Sequence, residues 1–117
     1  MHELSVCQAM LEQVAHLAKR YGARYVEAID VEIGELSGID PLLFADAFSV
    51  MRFGTCAAAA ILNARSIQPR VLCIQCGART YAPANRLTCG SCSGFRISVI
   101  EGTELTLRDV KLQISTE

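Results

Sequence analysis

Two CxxC pairs constrain this chain more than any other feature of its sequence. Cys73 and Cys76 form the first pair, Cys89 and Cys92 form the second, and twelve residues separate the two pairs. Two such pairs can face each other across tight turns, so that four thiolates surround one ion as a tetrahedron. Four sulfurs favour Zn(II) or an iron site, and this spacing favours a structural zinc over a redox pair. We therefore predict an inserted zinc ribbon with these four cysteines as its ligands.

The predicted zinc ion has no catalytic role. A tetrathiolate ion leaves no coordination position for water or substrate, so it is expected to fold its module and nothing more. Elsewhere in the chain, no histidine or carboxylate pair stands beside a credible nucleophile. We therefore expect that the protein is not an enzyme. A sharp CxxC turn often needs positive φ just beyond its second cysteine, and Gly77 occupies that position in the first pair.

The length and cysteine usage indicate a small intracellular protein. A chain of 117 residues suits one ordinary domain, or one small domain with a metal-clamped insert. No apolar run reaches the roughly twenty residues of a membrane span, and the N-terminus lacks the regions of a signal peptide. Four cysteines in zinc spacing beside the isolated Cys7 and Cys56 indicate a reducing compartment. We expect a cytoplasmic location and no membrane partner.

Positive charge is concentrated around the cysteines. Residues 69–100 contain Arg70, Arg79, Arg86 and Arg96 and no Asp or Glu, so this stretch carries +4 within a total charge of −1. Four thiolates around Zn(II) would add about −2 to it. The simplest interpretation is that the arginines balance the thiolates, and a docking face for an acidic partner is the second. A nucleic-acid footprint would need more charge and exposed aromatic residues.

Two amphipathic helices are predicted outside the cysteine module. The first has an apolar stripe at three- and four-residue steps and ends at Gly22. That stripe consists of Leu4, Cys7, Leu11, Val14, Ala18 and Tyr21. Cys7 is therefore expected to be buried and His16 exposed. The second helix starts at Asp40 and Pro41, where a side-chain acceptor precedes a residue with helical φ. Its predicted buried face consists of Leu43, Phe44, Ala47, Phe48 and Met51.

Three strands complete the expected core. Apolar and polar residues alternate over 25–36, which places Tyr25, Ile29, Val31 and Ile33 on one side of a strand. A weaker alternation of the same kind covers 60–68. In the last run, the apolar residues change from odd to even positions, which predicts a bulge near Arg108 or Asp109. The fold class is therefore α+β, with two helices packed on a small three-stranded sheet. Residues 1–68 plus 101–117 form the α/β domain, and 69–100 form the zinc ribbon.

The first three residues can form a second metal site. If Met1 is retained, its amine, the backbone nitrogens of residues 2 and 3 and the His2 ring can converge on one ion. Such nitrogen ligands suit Ni(II) and Cu(II), which prefer square-planar or tetragonal sites. Glu3 is a nearby oxygen candidate, and so is Asp40 if the second helix starts beside the first. On spacing alone, an unstructured chain end remains the alternative.

Taken together, these stretches resemble a known family. The resemblance covers residues 1–7 (MHELSVC), 32–37 (EIGELS), 41–48, Gly54 with Thr55, and the paired cysteines. The family is that of the HypA/HybF nickel-insertion accessory proteins of [NiFe]-hydrogenase maturation. Two departures stand out. Ala57, Ala58 and Ala59 occupy a place where the family often has an acidic residue and a glycine. Gly77 and Ser93 occupy places where some members have histidines.

The resemblance implies a function and a set of partners. It places nickel, as transferred cargo, on the Met1 amine, His2 and Glu3, and it places structural zinc on Cys73, Cys76, Cys89 and Cys92. It also implies a HypB-type GTPase partner, the hydrogenase large subunit as recipient, and a homodimer. This is the expectation for a metallochaperone that binds no nucleic acid.

Two other functions remain open on the residues alone. One is a nucleic-acid-binding zinc ribbon, which the four arginines favour and which a salt titration would reveal. The other is a thiol redox switch built on the CxxC pairs, which mild oxidation would reveal.

Overall fold

The computed structural model describes residues 3–114. This range contains the helices α1 (Glu3–Arg20) and α2 (Pro41–Met51) and the strands β1 (Ala23–Gly34), β2 (Ile61–Ile67), β3 (Arg70–Cys73), β4 (Arg79–Tyr81), β5 (Ile97–Glu101) and β6 (Leu105–Ile114). The strands form two three-stranded sheets, with the orders β2-β1-β6 and β4-β3-β5. The predicted α+β fold, with two helices on a small sheet, is confirmed. No helix in residues 3–114 is long and apolar enough to cross a membrane.

The first sheet is built around β1. This strand pairs in parallel with β2 and antiparallel with β6. Parallel neighbours need a crossover connection, and α2 lies in the segment between β1 and β2. The third strand, β6, follows the cysteine-containing segment, as predicted. The predicted bulge is also present, because Asp30 lies opposite Asp109 whereas Val31 lies opposite Leu107. Arg108 is therefore the extra residue.

The hydrophobic core lies between the two helices and the first sheet. Its fully buried side chains include Phe44 from α2 together with Val26, Ile29, Val31 and Ile33 from β1. From α1 it receives Cys7, Met10, Leu11, Val14 and Ala18. The prediction that Cys7 is buried and His16 exposed is confirmed. A single apolar core therefore holds both helices against the first sheet.

The prediction for Tyr25 is wrong. Its side chain is 44% exposed, and Val26 takes the buried position instead. The cause is a register shift in the pairing of β1 with β6, between Val26 and Ala28. Val26 lies opposite Leu112 and Ala28 lies opposite Lys111, so Glu27 between them has no opposite residue. The side-chain alternation of β1 therefore changes sides at Glu27. Strict alternation therefore holds only from Ile29 onwards.

Three residues of the predicted helical stripes are also exposed. Leu4 and Leu43 line a groove between α1 and α2, where no other described element covers them. Tyr21 lies beyond the last turn of α1, with the Arg20 guanidinium 5.8 Å from its ring centroid. The helices thus bury only the parts of their apolar stripes that lie against the sheet. Met51, at the end of α2, is half-buried.

The second sheet is small and is joined closely to the first. Its central strand, β3, pairs antiparallel with β4 and with β5. At the junction, the backbone N–H of Leu36 donates to the carbonyl of Gly102, and that of Gly34 donates to the carbonyl of Glu104, each at 2.9 Å. These bonds connect the end of β1 directly to the turn that follows β5.

Candidate metal centre

The two CxxC pairs adopt matching turns at one end of the second sheet. The N–H of Gly77 donates to the carbonyl of Cys73, and the N–H of Ser93 donates to that of Cys89, each at 2.9 Å. Gly77 has φ of 76°, as predicted, and Ser93 has φ of 63°. Ser93 is the only non-glycine residue with positive φ in the described part of the chain. The second turn therefore places a serine where the first uses glycine.

The turns bring the four cysteine sulfurs together. The sulfurs of Cys73, Cys76, Cys89 and Cys92 all lie within 4.8 Å of one another. The Cys73–Cys92 and Cys76–Cys89 sulfur pairs are each 3.6 Å apart, and no cysteine in residues 3–114 forms a disulfide. A tetrahedral zinc with bonds of about 2.3 Å requires sulfurs about 3.8 Å apart. The four thiols thus have the spacing of a tetrathiolate site.

Backbone N–H groups prepare two of the sulfurs to be thiolates. Those of Cys92 and Ser91 donate to Cys89 Sγ at 3.4 and 3.3 Å, and they lower the pKa of Cys89 to about 6. The N–H of Cys76 donates to Cys73 Sγ at 3.4 Å and lowers the pKa of Cys73. Metals bind thiolates, so these bonds favour the ligating form.

The other two sulfurs hold their protons more tightly. The N–H of Ala78 acts to lower the pKa of Cys76, but the neighbouring Cys89 sulfur and burial outweigh it and raise that pKa to about 11. At Cys92, the N–H of Gly94 also acts to lower the pKa, but the neighbouring Cys73 sulfur and burial outweigh it, and the pKa is raised. A bound cation would reverse this preference, because it attracts all four negative charges. The cluster is therefore suited to a divalent metal more than to four free thiols.

Two further residues support the turns through contacts that the sequence did not predict. Thr80 of β4 accepts a hydrogen bond from the N–H of Gly90 at 2.8 Å through its hydroxyl, which attaches the second turn to the sheet. Gly94 lies so close to the first turn that a Cβ there would be 2.6 Å from Gln75 Oε1. These contacts depend on how the two turns face each other, which the spacing of the cysteines does not specify.

The predicted nickel site is only partly within the described residues. Met1 and His2 lie outside them, whereas Glu3 begins α1. Glu3 Oε2 accepts a hydrogen bond from the backbone N–H of Asp40 at 3.0 Å, so the second helix does start beside the first. The Asp40 carboxylate caps its own helix, because Oδ1 accepts from the N–H groups of Leu42 and Leu43.

The segment of three alanines after Cys56 is a packed turn. Ala57 is fully buried in the core, and Ala58 and Ala59 are exposed. Arg52 holds this turn, since its guanidinium donates to the carbonyls of Ala58 and Ala60 at 2.8 and 2.5 Å. The sequence predictions missed this role of Arg52.

Comparison with known proteins connects this geometry to a family. The family model described as "Hydrogenase/urease nickel incorporation, metallochaperone, hypA" matches residues 1–112. The hydrogenase maturation factor HypA of Nitrosospira multiformis is 38% identical over 112 residues, which cover 96% of this chain and 97% of that protein. HypA of Rhizobium leguminosarum bv. viciae is 31% identical over 113 residues, which cover 96% and 99%.

A solved structure shows the same fold. The solution structure of the Ni metallochaperone HypA from Helicobacter pylori matches with a TM-score of 0.75 at 26% identity, and the match covers 98% of this chain and 100% of that one. The resemblance read from the sequence is thereby confirmed over nearly the whole chain. The chain belongs to the HypA family of hydrogenase and urease nickel-incorporation metallochaperones.

Proposed function

We propose that this protein binds Ni(II) at its N-terminus and delivers it to the large subunit of a [NiFe]-hydrogenase during maturation. The observation that carries the proposal is the family match, which begins at residue 1 and so includes the Met-His-Glu opening. The nickel ligands are the Met1 amine, His2 and Glu3. The protein is a carrier and not an enzyme, and it acts in the cytoplasm.

The placement of Glu3 supports a nickel site at this end of the chain. Ni(II) in a nitrogen site binds deprotonated backbone amides, which carry negative charge. α1 begins at Glu3 and α2 begins at Pro41, and the hydrogen bond from Asp40 to Glu3 brings the two helix starts together. Each helix start carries partial positive charge, which stabilises nearby anionic ligands. The described fold therefore favours an anionic ligand set near Glu3.

The four cysteines hold a structural zinc ion in this proposal. Their sulfur spacing fits zinc, and bound zinc would act as a fourfold cross-link between the two turns. The ribbon has few other means of stability, since its buried apolar side chains are Pro69, Val71 and Ala82 in addition to Cys73 and Cys89. We accordingly divide the chain into a nickel-binding α/β domain of residues 1–68 plus 101–117 and a zinc ribbon of 69–100.

The proposed partners follow from the family. They are a HypB-type GTPase that assists delivery, the hydrogenase large subunit that receives the ion, and a second copy of the chain in a homodimer. An ion bound at the chain start can pass to a recipient after only a few metal–ligand bonds have been exchanged. Such exchange suits a carrier, which must both select nickel and release it.

The test compares the two histidines of the chain. His2→Ala should remove nickel binding in equilibrium dialysis while zinc content and thermal unfolding stay unchanged. His16→Ala is the matched control, because His16 is exposed on α1 and should not affect nickel. All samples need the native N-terminus, since blocking the Met1 amine with extra residues should also remove nickel and leave zinc in place. Unchanged nickel affinity in the His2 variant would disprove the assignment.

A further inference from the structure

The second sheet has one buried face and one open face. Along β3, Val71 and Cys73 are buried, whereas Arg70 and Leu72 are partly exposed on the other side. Ile74 continues this open side, since its N–H donates to the carbonyl of Arg96 at 2.9 Å and so extends the pairing beyond β3. We call this open side the ribbon face. It consists of Arg70, Leu72, Ile74, Arg79, Tyr81 and Arg96, together with Ser98 and Glu101, which lie opposite Leu72 and Arg70 on β5.

Strand pairing arranges the ribbon face as an apolar row between cations. Leu72 lies opposite Arg79 on β4, and Arg70 lies opposite Tyr81 on the same strand. Directly opposite residues project from the same side of a sheet, so each apolar side chain has an arginine as its neighbour. Ile74 is 71% exposed and Tyr81 is 59% exposed. Apolar side chains this exposed become buried only if another molecule covers them.

The arginines of this face differ in their pairing. Arg70 donates to Glu101 at 3.1 Å, and its guanidinium lies 5.9 Å from the centroid of the Tyr81 ring. Arg79 and Arg96 are exposed and form no ion pair with any residue of the 3–114 range. Residues 69–100 contain no Asp or Glu that could pair with them. Two cations beside an apolar row thus remain available to a partner.

We propose that the ribbon face docks a segment of a partner protein that combines acidic and aliphatic side chains. Carboxylates of such a segment would pair with Arg79 and Arg96, and its aliphatic side chains would cover Leu72 and Ile74. This surface lies outside the proposed nickel ligands, so the inference goes beyond nickel carriage and does not depend on it.

The charge distribution favours an acidic protein segment over a nucleic acid. Tyr81 is the single aromatic residue on the ribbon face, and aliphatic side chains such as those of Leu72 and Ile74 offer no stacking platform for bases. The arginines give the cysteine module +4, or about +2 with a zinc ion and four thiolates, whereas the remaining residues sum to −5. A long polyanion that reached beyond the ribbon face would meet this negative charge. A short acidic segment would not.

The experiment uses the zinc-loaded full chain and a fluorescein-labelled synthetic peptide of glutamate, leucine and glycine. Binding is measured by fluorescence anisotropy, and the site is located by amide chemical-shift changes. The peptide should bind, shift the signals of Leu72, Ile74 and Arg79, and bind more weakly as salt is added. Replacing Arg79→Glu together with Arg96→Glu should weaken binding by about tenfold or more. Ile74→Ser should weaken it by about fivefold through lost apolar burial.

A charge-matched variant separates the site from overall charge. Arg20→Glu together with Arg24→Glu changes the net charge by the same amount on exposed residues outside the ribbon. This control should leave peptide affinity within about twofold. Equal weakening in both double variants, no binding of the peptide, or undiminished binding of a peptide with glutamine for glutamate would overturn the proposal. So would tighter binding of a single-stranded oligodeoxynucleotide at the same face. Zinc content and thermal unfolding confirm that each variant remains folded.

Discussion

Gly34 and Gly102 are in direct backbone contact where the first sheet meets the second. A Cβ on Gly34 would lie 2.2 Å from the carbonyl oxygen of Gly102, and Gly102 in turn packs on Pro69 with φ of 100°. Because the obstacle is backbone, it cannot rotate away as a side chain would. Gly34→Ala is therefore expected to lower the free energy of unfolding by about 3 kcal/mol, measured by urea denaturation.

The matched control for this prediction is Gly38→Ala. Gly38 has φ of 78°, but a Cβ there would have no atom within 4 Å. Its substitution should cost only the backbone preference, about 1 kcal/mol. Equal losses of unfolding free energy in the two variants would show that the contact between Gly34 and Gly102 adds nothing to the cost of the substitution.

Removal of zinc should unfold one part of the protein and spare the other. The second sheet has few buried apolar residues, while the core under α1 and α2 contains no cysteine of the cluster. Chelation should therefore collapse the amide signals of Val71 and Ala82 in NMR spectra and leave those of Ile29 and Phe44 dispersed. Cys76→Ser should have the same effect, whereas Cys56→Ser should keep the zinc. Loss of all dispersed signals together would contradict the prediction.

Ser93→Gly should strengthen the zinc ribbon. Ser93 has φ of 63°, a conformation that costs a residue with a Cβ about 1 kcal/mol and costs glycine nothing comparable. The variant should therefore retain zinc longer in a competition assay with a chromogenic chelator. Ser91→Gly serves as the comparison, because Ser91 is not among the residues with positive φ. It should lose zinc at the wild-type rate or faster.

Asp40 is expected to act on α2 more than on nickel. Its carboxylate accepts from Leu42 N–H at 2.9 Å, so Asp40→Ala should reduce stability by about 1 kcal/mol through loss of the helix cap. Asp40→Ser retains a side-chain acceptor and should restore most of that stability. Nickel stoichiometry measured by dialysis should stay the same in both variants. A loss of nickel in Asp40→Ser, with stability preserved, would instead make the carboxylate a ligand.

Cys7 should resist alkylation in the folded protein. Burial raises the pKa of its thiol, so folding favours the neutral form. Proton linkage therefore makes stability depend on pH. The contribution of the neutral Cys7 thiol to stability is complete below the pKa of the unfolded thiol, and it is lost as the pH rises through the higher pKa of the folded protein. Mass spectrometry after iodoacetamide treatment at pH 8 should find Cys7 unmodified and the partly exposed Cys56 modified. Early labelling of Cys7 would show that α1 opens without global unfolding.

The sequence predicted what depends on spacing and missed what depends on contacts between elements. The cysteine cluster, the Asp40 cap and the bulge at Arg108 each have a signal within a few residues of the chain, and the structure shows all three. Tyr25 was misplaced because Glu27 interrupts the apolar side of β1, and an interruption alone does not show that the alternation changes sides there. Leu4 and Leu43 were misplaced because periodicity identifies a helix face without indicating how far the sheet extends beneath it.

The position of β6 also bears on how the protein is made. The central strand β1 is translated early, yet its antiparallel neighbour β6 leaves the ribosome only after every cysteine of the cluster. The nascent chain can therefore capture its metal before the first sheet is complete. If no metal is captured at that moment, β6 must reach the open edge of β1 from the far end of a ribbon that is still unfolded.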